Sequence, residues 1–451
     1  MPGSAPACQP SIPVTAPLLS PSRSQDPPLL DLKFIRSHPE LVKAGAAKKR
    51  MECDVERILE LDESNRQAMQ AMDELRSKQK QAGKAIAEAA PDERAQLAQN
   101  QKGLKAELKE CSEGQALIEA ELDALMLRVP SVPADEVPEG VDDEDNVELR
   151  KWGEPRSFDF PMRSHIEIGE MHGWLDIVRG ARLAGSRNYV LKGDLCLLEH
   201  AVMRYALDTM VGKGFTAVTV PTLVRTQTMV GTGYFPGGED QAYLCDERDD
   251  LCLVGTAEVP LTALYQDEIL DGADLPMRLV SSSTCYRREA GTYGKDTKGL
   301  YRVHQFQKVE QVVIDVADEE RSIEHHLAIL DNSEQILQAL ELPYRVVNVC
   351  GGDLGQAQVQ KFDIETWMPA REGYGETHSA SRFYVFQSRR LSLRYRGEDG
   401  KVRHCHTLNN TVAASTRMLI ALLENHQTAS GQVRVPEPLR TYLGGRELLP
   451  D

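Results

Sequence analysis

Between Asp54 and Met126, apolar and small residues recur at steps of three and four. Ile58, Leu61, Asn65, Ala68, Met72, Leu75, Gln79, Ala82 and Ile86 form one stripe. Leu97, Gln101, Leu104, Leu108, Cys111, Gln115, Ile118, Leu122 and Leu125 form a second. That spacing gathers the stripe on one face of a helix. Ala90-Pro91-Asp92 stands between the stripes and stops the first helix. The pattern therefore predicts an antiparallel coiled-coil hairpin with arms of about 45–50 Å. Such a hairpin buries one narrow seam and leaves most of its surface to a partner.

After the second stripe the pattern changes. Residues 129–155 are rich in Pro, Asp and Glu and read as a linker. Beyond it, helical patterns at Ala201–Lys213, Glu319–Leu340 and Ala413–Gln427 alternate with strand-like runs at Val218–Pro221, Tyr344–Val349 and Leu391–Arg396. Strands grouped in hairpins, with helices between the groups, predict an α+β domain over 156–451: an antiparallel sheet flanked by helices. Residues 29–128 carry the hairpin domain. The first 28 residues hold eight prolines and no periodicity, which predicts disorder. A targeting peptide is the alternative there, although Arg23 is its only basic residue and it has no apolar stretch.

Length and charge narrow the picture. A chain of 451 residues is too long for one ordinary core. No apolar run approaches the roughly 18 residues of a membrane span, so no membrane partner is expected. Nine scattered cysteines without a C-x-x-C pair suit reduced thiols and a cytoplasmic location, with no structural zinc expected. A formal net charge of −17 argues against indiscriminate nucleic-acid binding. The distal arm is the exception: Arg76, Lys78, Lys80, Lys84, Arg94, Lys102, Lys105 and Lys109 face only four acids over that stretch. An outreaching arm, basic near its tip, fits a structured RNA held by phosphate contacts and shape, although a merely solvated face has the same charge pattern.

The richest chemistry lies in Cys285–Glu310, which reads as strand, charged glycine-containing loop, strand. Arg287 and Glu289 are two apart on the first limb, and Arg302, Phe306 and Glu310 are spaced by fours on the second. Each set shares a face of its limb, so the two sets can meet. Guanidinium groups clamp phosphates and carboxylates, and a phenyl ring offers a flat surface to a base. The set suits a nucleotide plus a small zwitterion. No G-x-x-x-x-G-K-[ST] loop is present, which removes a P-loop site.

With these residues in place, the chain resembles the bacterial-type seryl-tRNA synthetases, a family of class II aminoacyl-tRNA synthetases, from about Leu30 to Leu449. Asp31-Leu-Lys-Phe-Ile-Arg and Pro39-Glu-Leu-Val precede the arm. Gly214–Pro221 is similar to the family's motif 1, which builds the homodimer interface; Cys285–Glu310 is similar to motif 2, and Leu408–Arg417 to motif 3. The resemblance implies ATP-dependent activation of L-serine and transfer to tRNA(Ser), with tRNA(Sec) left open as a second acceptor. It implies catalytic roles for Arg287, Glu310 and Arg417. Serine binding falls to Thr256, Ala257, Glu258, Arg287, Glu310, Asn409 and Thr411. ATP binding falls to Arg287, Arg288, Glu289, Arg302, Val303, Phe306, Glu376, Thr377, His378, Ser379 and Arg417. Glu376 and Ser379 would hold Mg²⁺. On the arm, Arg76, Lys78, Lys80, Lys84, Lys102, Lys105 and Lys109 would meet tRNA.

Two stretches depart from the family pattern. A serine-rich stretch ending in asparagine is usual where this chain reads Glu376-Thr-His-Ser-Ala-Ser-Arg382, so His378 and Arg382 are unusual. They keep open a specialised paralogue with a biosynthetic or antibiotic-resistance role. A non-catalytic RNA-binding regulator is the third reading, against which the retained charged residues count. Thr411 replaces a serine and keeps the hydroxyl.

Overall fold

The computed structural model describes residues 31–246, 248–291 and 298–451. The disorder expected at 1–28 falls outside the described residues, as does the tip of the 285–310 loop. Two helices, α1 (Val55–Glu88) and α2 (Arg94–Met126), form the arm. Asp54 caps α1 by accepting from the Arg57 amide, and the chain breaks at the predicted proline turn. Every seam position named above is buried or half-buried. The register is antiparallel: Gln115 donates to Asn65 at 3.0 Å, and Arg57 pairs with Glu121 nearer the root. At 34 and 33 residues, the helices are each about 50 Å long.

The arm root is clamped to the second domain. Lys49 is 2% exposed, and its ammonium donates to the carbonyls of Gly355, Gln356 and Gln358 at 3.0, 2.9 and 2.5 Å. Gln356 in turn donates to the Leu127 carbonyl at the end of the hairpin.

The second domain is built on a sheet of eight strands among the described residues. They are β1 (Val147–Trp152), β2 (Thr216–Ala217), β3 (Met277–Tyr286), β4 (Gln305–Asp315), β5 (Tyr344–Asn348), β6 (Gln360–Met368), β7 (Gly373–Tyr384) and β8 (His406–Ala414). Their order across the sheet is β1-β5-β6-β7-β8-β4-β3-β2. Every pairing is antiparallel except the short β2–β3 contact. Three helices, α3 (Gly193–Gly212), α4 (Glu319–Ala339) and α5 (Ser415–Asn425), share the main core with one face of this sheet. Val309, Val313, Ile364, Ala380, Leu408 and Val412 fill the space between. The other face carries Lys308 and Glu310 of β4, Glu376 and Ser379 of β7 and Asn409 and Thr411 of β8, and a cleft opens on it.

Two expectations change. The segment read as a linker contains β1, whose register runs from Val147 opposite Asn348 to Trp152 opposite Tyr344. All six of its residues are exposed, so no alternation marks it in the sequence. The strand expected at Val218–Pro221 shrinks to β2, which starts two residues earlier, where Thr216 and Ala217 pair with Leu279 and Val280.

Candidate active site

The β3–β4 hairpin forms the floor of the site. Its register sets Ser281 opposite Glu310 and Cys285 opposite Phe306. Side chains two apart share a face, so Phe306, Lys308 and Glu310 rise together on the open side. On the next strand, Thr411 lies opposite Glu310, and Asn409 lies two residues further along the same face. Arg287, Glu289 and Arg302 lie beyond the ends of β3 and β4, in the loop limbs and not in the ladder as the sequence spacing suggested. The Arg287 amide donates to the His304 carbonyl and the His304 imidazole Nδ1 meets the Arg287 carbonyl, both at 2.9 Å, which ties the two limbs just beyond the ladder. Glu289, at φ 52°, turns the limb so that its carboxylate meets Arg302 at 3.2 Å. The Arg287 guanidinium lies 5.4 Å from the Phe306 ring centroid.

Glu310 is the centre of the floor. It is 1% exposed and pairs with Lys308 at 2.5 Å. The Thr256 hydroxyl reaches the same carboxylate oxygen at 3.3 Å and that of Thr411 at 3.5 Å. Glu258, on the helix Glu258–Thr262 that follows Ala257, forms the adjoining wall. It accepts from the Tyr234 hydroxyl and the Gln387 amide, each at 2.8 Å. Burial, reinforced by the neighbouring Glu310, pushes Glu258 up to about 7. Asn409 Nδ2 is buried and has no partner among the described residues, leaving a donor on this face.

Opposite the hairpin limbs stand α5 and β7. Arg417, in the first turn of α5, donates to the Glu376 carbonyl at 2.8 Å and lies 3.4 Å from its carboxylate. Tyr301 is stacked under the same guanidinium at 4.7 Å. Burial works against the Glu376 charge, but Arg417, Lys361 and Arg287 outweigh it and hold its pKa below the usual range. Glu376 and Ser379 share the open face with Asp363, because Glu376 pairs with Glu365 and Ser379 with Asp363. Asp363 Oδ1 is buried without a partner among the described residues. These hard oxygens suit a magnesium ion that keeps several waters and takes the rest of its shell from phosphates. Among the described residues, no group of three or more His, Cys, Asp or Glu is arranged to hold a metal ion.

Arg287, Glu289, Val303, Phe306, Lys308, Glu376, Thr377, Thr411 and Arg417 line one cleft. Three residues expected at the nucleotide stand elsewhere or only at its margin. Arg288 is exposed and leans over Tyr243 at 5.8 Å. Thr377 turns its hydroxyl inward to Thr366 at 2.7 Å. His378 is buried on the helix-covered face, between the Thr377 hydroxyl (2.7 Å) and the Val412 carbonyl (3.2 Å). Burial lowers its pKa to about 4, which leaves it neutral at pH 7. The other unusual residue, Arg382, is also buried, donating to Gln360 at 3.0 Å and lying over Tyr384 at 4.9 Å. Tyr234, Tyr301, Lys308, Asp363 and Gln387 were missed by sequence reasoning. Only Lys308 was accessible to it, since it lies between Phe306 and Glu310 at period two.

The seven basic arm residues are all exposed, on the sides away from the seam. Arg76 pairs with Asp73 and Lys109 with Glu113, whereas Lys78, Lys80, Lys84, Lys102 and Lys105 form no ion pair among the described residues.

Comparison with known proteins agrees with this architecture. Residues 29–133 match the family model for the seryl-tRNA synthetase N-terminal domain, and residues 243–426 match that for the class II tRNA synthetase core domain (G, H, P, S and T). The chain is 46% identical over 421 residues to a serine–tRNA ligase of Deinococcus radiodurans, covering 93% of this chain and 99% of that one. It is 44% identical to that of Streptomyces coelicolor, with the same coverage. Among solved structures, the seryl-tRNA synthetase of Pyrococcus horikoshii complexed with ATP superposes with a TM-score of 0.86 at 37% identity, over 93% of this chain and 99% of that one. The cytoplasmic serine–tRNA ligase of Naegleria fowleri in complex with AMP gives 0.81 at 31%, over 92% and 96%.

Proposed function

From the premise that this chain belongs to the seryl-tRNA synthetase family and is a serine–tRNA ligase, we propose how its residues carry the reaction. In the first step a serine carboxylate oxygen attacks the α-phosphorus of ATP. The α–β phosphate bond breaks, and pyrophosphate leaves. In the second, a hydroxyl of the terminal tRNA ribose attacks the seryl carbonyl and AMP leaves. Neither step asks the protein for a nucleophile; it must align reactants and offset charge.

Arg287 lies between the floor and the nucleotide side, and bridges the serine carboxylate and the α-phosphate. Glu289 accepts from the adenine amino group while the base stacks on Phe306, displacing the Arg287 guanidinium from that ring. Val303 contributes apolar wall. Arg302 and Arg417 take the outer phosphates. Glu376 and Ser379 hold Mg²⁺, which when bound offsets phosphate charge.

The observation that carries the serine assignment is the convergence of Thr256 and Thr411 on one oxygen of buried Glu310. A serine hydroxyl donating to that carboxylate completes the set, whereas alanine supplies no donor and leaves the acid with its Lys308 and threonine contacts alone. The extra methyl of threonine meets the packed floor. Glu258, Thr256 and Asn409 surround the rest of the amino acid, with Ala257 as the close backbone between the first two. The basic arm takes tRNA(Ser) by its phosphates, and a tRNA(Sec) with the same contacts would receive serine by the same steps. A homodimer fits apolar residues left exposed: Leu197 and Val211 on α3, the helix that packs against β2, and Val178 and Leu183 on the helix Ile177–Ala184. Translation in the cytoplasm is the setting; no helix among the described residues is long and apolar enough to cross a membrane. Thermal melting tests the two-substrate site: serine added to saturating ATP should raise Tm beyond ATP alone, and no further rise would contradict it.

A further inference from the structure

Gln387 lies on the short helix Phe386–Arg390, more than a hundred residues from Glu258, and is 1% exposed. Three contacts fix its amide. Nε2 donates to the Thr232 carbonyl at 3.1 Å and to Glu258 Oε1 at 2.8 Å. Oε1 accepts from the Thr407 hydroxyl at 2.7 Å. A carbonyl and a carboxylate only accept, so the amide nitrogen must face them; the reversed amide would set oxygen against two oxygens. The Tyr234 hydroxyl donates to the other Glu258 oxygen at 2.8 Å. Each Glu258 oxygen is therefore held by one fixed donor and keeps a second lone pair.

We propose that Gln387, locked by Thr407, is a positioning residue for amino-acid selection that holds Glu258 aimed at the substrate's α-ammonium group. The inference rests on the reading of Glu258 as an ammonium-binding residue. Charged and titratable groups around Glu258 pull in both directions. Burial and Glu310 disfavour its charge, while Tyr234, Gln387 and Lys308 favour it. Removing the Gln387 donor therefore tilts Glu258 toward its neutral form, which cannot pair with an ammonium.

Serine-dependent ATP–pyrophosphate exchange across pH tests this, with wild type, Gln387→Met, Thr407→Val and Glu258→Gln. Gln387→Met should raise the serine KM about tenfold or more, keep the ATP KM within about twofold, and shift the acid limb of kcat/KM for serine to higher pH. Thr407→Val should do the same to a smaller extent, since the amide oxygen then loses its donor and the side chain its third anchor. A wild-type serine KM and acid limb in Gln387→Met, beside a raised KM in Glu258→Gln, would overturn the role of Gln387 and leave that of Glu258. A wild-type serine KM in Glu258→Gln would overturn both. Equal rises in the serine and ATP KM values would mark Gln387 as structural only and overturn the inference. If Gln387→Met does not fold, an unchanged serine KM in Thr407→Val contradicts it.

Discussion

Glu376 and His378 are two residues apart on β7, yet they face opposite sides of the sheet. Glu376 pairs with Glu365 and His378 with Ile364, so Thr377 is one residue too many for the partner strand. This bulge cancels the ordinary rule that residues i and i+2 share a face. The acid stays in the cleft beside Arg417, and the imidazole goes into the core.

Replacing His378 should therefore spare the nucleotide. His378→Phe removes the ring nitrogen that meets the Val412 carbonyl and one of the contacts of the Thr377 hydroxyl, and should destabilise the fold by about 1–3 kcal/mol. The ATP KM should stay within about twofold. Denaturant melts and exchange kinetics check both halves; a large rise in ATP KM at unchanged stability would return His378 to the cleft.

Glu310 should separate serine from ATP. Glu310→Gln keeps the shape but loses the charge, and Lys308 is left buried without its acid. The serine KM should rise by about a hundredfold or more while ATP affinity stays near wild type. Serine-dependent turnover equal to wild type would remove Glu310 from amino-acid recognition. A stability loss of about 3 kcal/mol should accompany the change.

The arm should matter for the second step alone. Changing Lys78, Lys80, Lys84, Lys102 and Lys105 to Gln leaves the seam intact, since all five are exposed. Pyrophosphate exchange should be unaltered and tRNA affinity should fall by orders of magnitude at moderate salt, with a shallower salt dependence. Charging as fast as wild type across salt concentrations would show that the arm's charge is only a solvated face.

Acid should destabilise the protein before its unpaired carboxylates titrate. Burial lowers His326 to about 3, and His378, His406 and His426 to about 4. Unfolded, these imidazoles take up protons near pH 6.5. Between about 4 and 6.5 the unfolded chain binds more protons at these four sites, so their contribution is full above pH 6.5 and lost as pH falls. Glu258 and Asp363, both pushed up to about 7 by burial, act in the opposite sense over most of that window, joined by Glu199, also raised, while His404, also lowered, adds to the more numerous histidines. Stability should fall by roughly 2–3 kcal/mol per pH unit below 6.5. Urea melts at pH 7, 6 and 5 check the slope; a rise in stability toward pH 5 would contradict the neutral core histidines.

What the sequence disclosed follows from range. The arm repeats a local period over 34 and 33 residues, so both its helices and the turn at Pro91 were readable. Arg287, Glu289, Phe306 and Glu310 lie within one hairpin, where spacing implies proximity. His378 was misplaced because a bulge depends on the partner strand, and nothing near Thr377 announces it. Tyr234 and Gln387 meet Glu258, and Thr407 meets Gln387, only through the tertiary fold, across separations of up to 129 residues. Nothing in the local pattern marks Lys49, which three carbonyls of the 355–358 loop enclose. β1 was lost for the opposite reason, an edge strand exposed on all six residues having no pattern to show.

The most direct test of the account is charging of total tRNA with labelled L-serine by the purified enzyme, with ATP and Mg²⁺. The account predicts serine esterified to a serine-accepting tRNA, with AMP and pyrophosphate released in equal amounts. Soluble, folded enzyme that leaves active tRNA uncharged would contradict it.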